Sequence, residues 1–163
     1  MAAPHIRPFV PEDAPVLAAL TLAAIVMIGV RGYSMQQVMC WAAHHPGAPR
    51  FLDSAAKGDL ILVAMADDGA TAAYALLERD GHFDMLYCHP DYAGNGFATA
   101  LLAATESAAR RDGIERLFAN ASELSRPVFE RAGYALLHRR DFTYTMGDDA
   151  IPMHNYAMEK HLD

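Results

Sequence analysis

The chain has 163 residues, 53% of them hydrophobic, with thirteen basic against twenty acidic side chains and a net charge of −7. That is enough apolar material for one domain with an enclosed core, residues 1–163, and it excludes a disordered chain. No Lys/Arg cluster offers the footprint a nucleic acid needs, and an acidic surface mildly favours a cationic acceptor such as an amine.

His5 to Val10 reads as a first strand. Glu12 and Asp13 then precede the apolar run from Val16 to Val30, where their charge suits the first turn of a helix reaching about Ile28; the Gly29–Ser34 segment ends it. At 15 residues, with Thr21 inside and no basic leader, the run reads as a buried helix and not as a membrane span. Met35 to His44 is a second helix, broken by the Pro46–Pro49 stretch.

Leu60 to Ala66, Thr71 to Glu78 and His82 to Cys88 are strands joined by Asp67-Asp68-Gly69 and Asp80-Gly81, a pattern that implies an antiparallel meander. A long helix from Gly96 to Asp112 follows, stopped by Gly113. Arg116 to Ala121 is a strand, Arg126 to Ala132 a short helix, and Tyr134–Met146 and Pro152–Lys160 are two closing strands. Antiparallel strands first and a β-α-β crossover in the middle make a mixed α/β fold. Cys40 and Cys88 are too few for a disulfide framework and suit a reducing cytoplasm. His44-His45 has no third ligand at metal spacing, so no metal is expected.

The stretch from Met85 to Leu102, MLYCHPDYAGNGFATALL, carries the chemistry. It is a strand, a glycine-bearing turn and a helix start, and the helix's first N–H groups have no intrahelical partner. With partial positive charge at that end, the mouth suits a diphosphate. Lysine is missing after the second glycine, which excludes a P-loop, and Thr99 stands where a dinucleotide fold has its third glycine. A bare G-x-G is also what an ordinary tight turn shows.

Together with Asn120-Ala121-Ser122 and Ser125 to Tyr134 downstream, this segment resembles the two signatures of the GNAT superfamily, the acetyl-CoA-dependent N-acetyltransferases. Cys88-His89-Pro90 stands over the strand end V-x-P, and Ala93 to Ala98 over [Q/R]-x-x-G-x-[G/A]. Gly96 and Ala98 match; Ala93 does not. The resemblance implies a central, mostly antiparallel sheet with helices on both faces and a splayed strand pair at the cofactor cleft. It also implies acetyl-CoA as cofactor, held by Leu86, Tyr87 and Cys88 on the strand, by Ala93, Gly94, Asn95, Gly96, Phe97, Ala98 and Thr99 at the helix mouth, and by Ser122, Ser125, Arg126 and Phe129 across the gap. Phe129 occupies the position of the tyrosine that protonates the leaving thiolate in many members, and it has no hydroxyl to give.

Acetyl transfer to an amine needs a base, oxyanion donors and usually an acid. Asp84 and His82 are expected on one strand face, opposite Phe83 and Met85, and either could take the amine proton; both could equally be solvated residues beside a turn. Tyr87 is a hydroxyl that could serve as acid. Tyr33, Trp41 and Tyr74 are candidates for contact with the acceptor. The expected activity is transfer of acetyl to a primary amine of a small molecule or peptide by direct attack in a ternary complex. A non-catalytic acyl-CoA-binding module or a scaffold protein is the alternative, and homodimerisation is left open.

Overall fold

The computed structural model describes residues 3–163. The two Asp-Gly turns fold β2 (Leu60–Met65), β3 (Thr71–Leu77) and β4 (His82–Cys88) into the expected meander, and β1 (His5–Pro8) adds antiparallel to β2. A crossover through α4 (Phe97–Arg111) brings β5 (Arg116–Ala121) parallel to β4. After α5 (Arg126–Arg131), β7 (Asp149–His161) inserts between β5 and β6 (Ala135–Met146), and the strand order is β1-β2-β3-β4-β5-β7-β6. The sheet is thus mixed and mostly antiparallel.

Its two faces carry separate cores. Leu101, Leu102 and Ala109 of α4 and Phe129 of α5 pack on Ala73, Ala75, Phe83, Leu117 and Ala119. On the other face, Leu17 and Leu20 of α1 (Ala14–Ile28) and Phe51 of α3 (Ala48–Lys57) cover Ile61, Val63, Tyr74 and Leu76. Tyr33 and Val38 of α2 (Met35–Ala43) and the turn before it extend this layer to Met153 of β7.

The helix α3 is not anticipated by the sequence reading. Pro49 lies in its first turn, where a missing N–H costs nothing, and Gly58 closes it at φ 88°. The Pro46–Pro49 stretch therefore both ends one helix and opens the next.

Helix α1 also corrects an expectation. Short 3-10 turns extend it to a 21-residue helical run, Pro11–Arg31, long and apolar enough by length and composition to cross a membrane. Here one side is sealed against the sheet, with Thr21 bonding to Leu17 O at 2.7 Å and to the Tyr74 hydroxyl. The other side is not buried: Val16, Leu22, Val26, Met27 and Val30 are each more than 40% exposed. The sheet, α2 and α3 reach only one flank of the helix.

Two details of β4 shape the cleft. Leu76 pairs with Met85 and Leu77 with Phe83, so Asp84 is the extra residue of a β-bulge. Phe83 therefore joins the α4-side core and Met85 the α1-side core, and they do not share a face. Secondly, β4 and β5 pair only at His82 with Phe118 and Phe83 with Ala119. Beyond that point the strands part, as the expected splayed pair.

Candidate active site

The gap between β4 and β5 is a cavity of about 230 Å³. At one end is the mouth of α4. Gly94 and Gly96 adopt φ of 80° and 83°, which an L side chain resists, and a Cβ built on either would meet no atom within 4 Å. The space before them is open. Ala100 is the first amide of the helix to find a chain acceptor, Gly96 O at 3.0 Å, and no side chain caps the end. Among the described residues, the amides from Gly94 to Thr99 make no hydrogen bond within the protein. Six N–H groups are thus left unpaired, three in the turn and three at the positive end of the helix dipole, a combination that suits a multiply charged anion.

Leu86, Tyr87 and Cys88 form one wall, and Ala93, Gly94, Gly96, Phe97, Ala98 and Thr99 the mouth. Asn95 faces away, its side chain donating to Tyr92 O at 3.1 Å. Ser122 and Ser125 form the opposite wall with Leu124, Val128 and Arg131. The two serines lock their turn reciprocally: Ser122 N–H donates to Ser125 Oγ at 2.9 Å and Ser125 N–H to Ser122 Oγ at 3.1 Å. Arg126 does not line the cavity. Its Nε donates to Glu130 at 2.6 Å and its guanidinium lies 4.5 Å from the centre of the Tyr156 ring. The basic side chain on the wall is Arg131, further along α5 and missed in the sequence.

A smaller cavity of about 60 Å³ sits where the strands begin to part. Asp84, Asn120 and Phe129 line it, and it shares Trp41, Leu86, Tyr87, Ser122 and Ser125 with the larger one. Phe129 is 3% exposed and packs edge-on against Phe83 and Tyr134, with ring centres 5.6 and 5.0 Å away. Tyr87 stands between the two cavities. Burial raises the pKa of its hydroxyl far above the ordinary range, so it remains a proton donor at any working pH. Burial likewise pushes the Cys88 thiol up to about 11, which leaves it an inert wall residue.

Asp84 is held by α3: Arg50 Nη2 donates to Asp84 Oδ2 at 2.8 Å, and Nη1 is fixed on Ser54 Oγ at 2.6 Å. Asp84 Oδ1 has no partner among the described side chains. His82 is placed differently, with Nδ1 2.9 Å from Glu78 Oε1 and its ring stacked 5.1 Å from that of Phe118, and it lines neither cavity. Glu78, His82 and Asp84 bring potential metal-ligand atoms within 4.8 Å of one another. Arg50 already supplies a positive charge there, 3.7 Å from Glu78.

Of the three expected acceptor contacts, only Trp41 reaches the cleft, beside Ala24, Ile28 and Gly29 of α1 and its end. Tyr74 is fully buried under α1. Tyr33 is a strut: its hydroxyl accepts from Glu123 N–H at 2.9 Å and donates to His154 O at 3.0 Å, and burial raises it to about 12. It ties the turn before α2 to the β5–α5 loop and to β7, and it braces Trp41 edge-on at 5.6 Å.

A parted parallel strand pair, an uncapped glycine mouth at one end and a carboxylate and a hydroxyl at the other are the features that an acyltransferase with a donor on a diphosphate-bearing carrier calls for. Comparison with known proteins places it more narrowly. Residues 30–159 match the acetyltransferase (GNAT) domain, and the chain belongs to that family as an N-acetyltransferase. It is 30% identical over 130 residues to the uncharacterized N-acetyltransferase YafP of Escherichia coli K12, covering 80% of each chain. Among solved structures it is similar to a GCN5-related N-acetyltransferase of Rhodopseudomonas palustris, at 33% identity and a TM-score of 0.85 over 99% of this chain and 98% of that one. The PaiA N-acetyltransferase of Thermoplasma acidophilum, crystallised with coenzyme A, shares the fold at 18% identity and a TM-score of 0.78, over 99% and 100% of the two chains.

Proposed function

We propose that this protein acetylates a primary amine carried on a small apolar or aromatic body, with acetyl-CoA as donor. The observation that carries this reading is the continuity of the cleft: the unpaired amides from Gly94 to Thr99 at one end open through Tyr87 to Asp84 and the Trp41 wall at the other. Acetyl-CoA supplies a thioester, activated toward an amine. The residues of the chain do the rest. The amides at the α4 mouth bind the diphosphate, and the edge of β4 left free by β5 offers backbone hydrogen bonds to an extended arm. Ser122 and Ser125 face that arm, and Arg131 is placed to meet a phosphate.

Asp84 takes the amine proton at Oδ1 while Arg50 steadies Oδ2, directly or through one water. Tyr87 gives a proton to the departing sulfur, the task for which Phe129 has no group. Even without it a thiolate can leave, since thiols ionise near a pH of about 8.5. His82 acts at a distance by orienting Glu78 beside Arg50. The apolar wall of Ala24, Ile28, Gly29 and Trp41 selects the body of the amine. Both cysteines are free, which fits a cytoplasmic enzyme.

The test is thiol release from acetyl-CoA across a panel of amines graded from polyamines to arylalkylamines. Turnover should favour the arylalkylamines and fall on Asp84→Asn. Thermal stabilisation by coenzyme A with no thiol release from any amine would instead favour the binding module.

A further inference from the structure

The solvent side of the Pro11–Arg31 run has a pattern that catalysis does not use. Pro15, Ala19, Leu22, Val26 and Val30 follow one another at spacings of four, three, four and four, all exposed. That is the apolar stripe of a helix that packs on another helix. No charged residue lies between Asp13 and Arg31, so the face has none of the Lys or Glu that a solvated helix surface carries.

From this we infer that α1 is the interface of a homodimer, two copies of the helix packing antiparallel about a two-fold axis near Leu22 and Ala23. The stripe is self-complementary about that point: pairing Leu22 with the copy's Ala23 also sets Ala19 against Val26 and Pro15 against Val30. The small residues at 19 and 23 let the helices approach closely. The ends match as well. Exposed Glu12 at the start and exposed Arg31 at the finish have no ionic partner within the chain among the described residues, and an antiparallel copy brings each to the end bearing its opposite. A membrane fits the same face poorly, because the chain's net charge is −7 and the exposed Glu12 at its start repels an anionic bilayer, while Asp13 is buried and paired with Arg7. A strip about 30 Å long and roughly 10 Å wide buries about 600 Å² over the two copies, below the range of stable interfaces, so a weak, transient dimer dissociating in the micromolar range is expected.

The experiment measures the mass of the full chain in solution by sedimentation between about 1 and 100 µM, with Leu22→Glu and Leu22→Lys variants alone and mixed. Wild type should double its mass over that range, and each variant alone should stay monomeric because like charges meet at the axis, with a circular dichroism spectrum like that of wild type confirming the fold. Mixing the two variants should restore the dimer, since the carboxylate introduced in one copy then faces the ammonium introduced in the other. A wild type monomeric throughout, a dimer indifferent to either charge, or recovery of the wild type with anionic vesicles in place of self-association overturns the proposal.

Discussion

At the α4 end of the cleft the unpaired polar groups belong to the main chain, six amides in a turn with two glycines in left-handed conformation. At the α1–α2 end they are side chains brought together from distant parts of the sequence, Trp41 from α2, Asp84 from a bulge in β4 and Asn120 from β5, with Arg50 of α3 holding Asp84 from behind. The first arrangement depends on one continuous turn and on the backbone shape that its glycines allow. The second depends on the packing of four elements, and each member can vary with its neighbours. A site of this construction keeps one donor and is free to change its acceptor.

The largest effects should come from the glycines, and they should differ in kind. Gly96→Val is expected to abolish coenzyme A binding in calorimetry, because its side chain would take the open space before the helix mouth, at a stability cost of about 1–2 kcal/mol for the left-handed backbone. Gly81, at φ 97°, faces protein where Gly96 faces open space: an added Cβ would lie 2.2 Å from Arg116 O on β5. Gly81→Ala should therefore cost about 3 kcal/mol or more in denaturant unfolding. If Gly96→Val binds normally, the main-chain cradle is misassigned.

At the side-chain end the effects should be kinetic. Tyr87→Phe should lower kcat by about 10²-fold with little change in the affinity for coenzyme A. Since burial raises the Tyr87 pKa, the hydroxyl keeps its proton as pH rises, and wild-type kcat should climb and then stay level through about pH 10. A fall on the alkaline side between about pH 8 and 10 would assign the acid to another group. Arg131→Ala should weaken coenzyme A binding by roughly tenfold, the scale of one charge-assisted hydrogen bond, whereas Arg126→Ala should leave it unchanged because Arg126 is committed to Glu130 and Tyr156. A small change is expected in kcat from Phe129→Tyr, neutral or modestly accelerating, as the ring keeps its packing on Phe83 and Tyr134 and lines the smaller cavity.

The same contrast explains what could be read before any coordinates. The meander, the crossover and the α4 mouth are local in sequence, announced by Asp-Gly turns and by the break at His89-Pro90, and the strand bounds agree with the structure to within three residues. Gly94 and Gly96 were legible only together with the second signature from Asn120 to Tyr134, because a G-x-G before a helical period is also what an ordinary tight turn shows. Arg50 was not, since α3 begins among prolines and its partner Asp84 lies 34 residues away. Nor was the bulge, because alternation of residue type along β4 continues through Asp84 while the backbone does not. Tyr33 and Tyr74 have the composition of contact residues, but only tertiary packing shows that one is a strut and the other is sealed beneath α1.

The two-position seam between β4 and β5 has a mechanical consequence. Four strands lie on one side of it and three on the other, and little main-chain pairing joins the two groups across the middle of the molecule. An extended ligand arm lying in the gap, bonded to the free edge of β4 and touching the β5–α5 turn, would supply the missing rungs and complete the sheet as a temporary eighth strand. Loading the donor would then be expected to stiffen the whole body, with amide exchange slowing along β5 and β7 as well as at the residues the ligand touches.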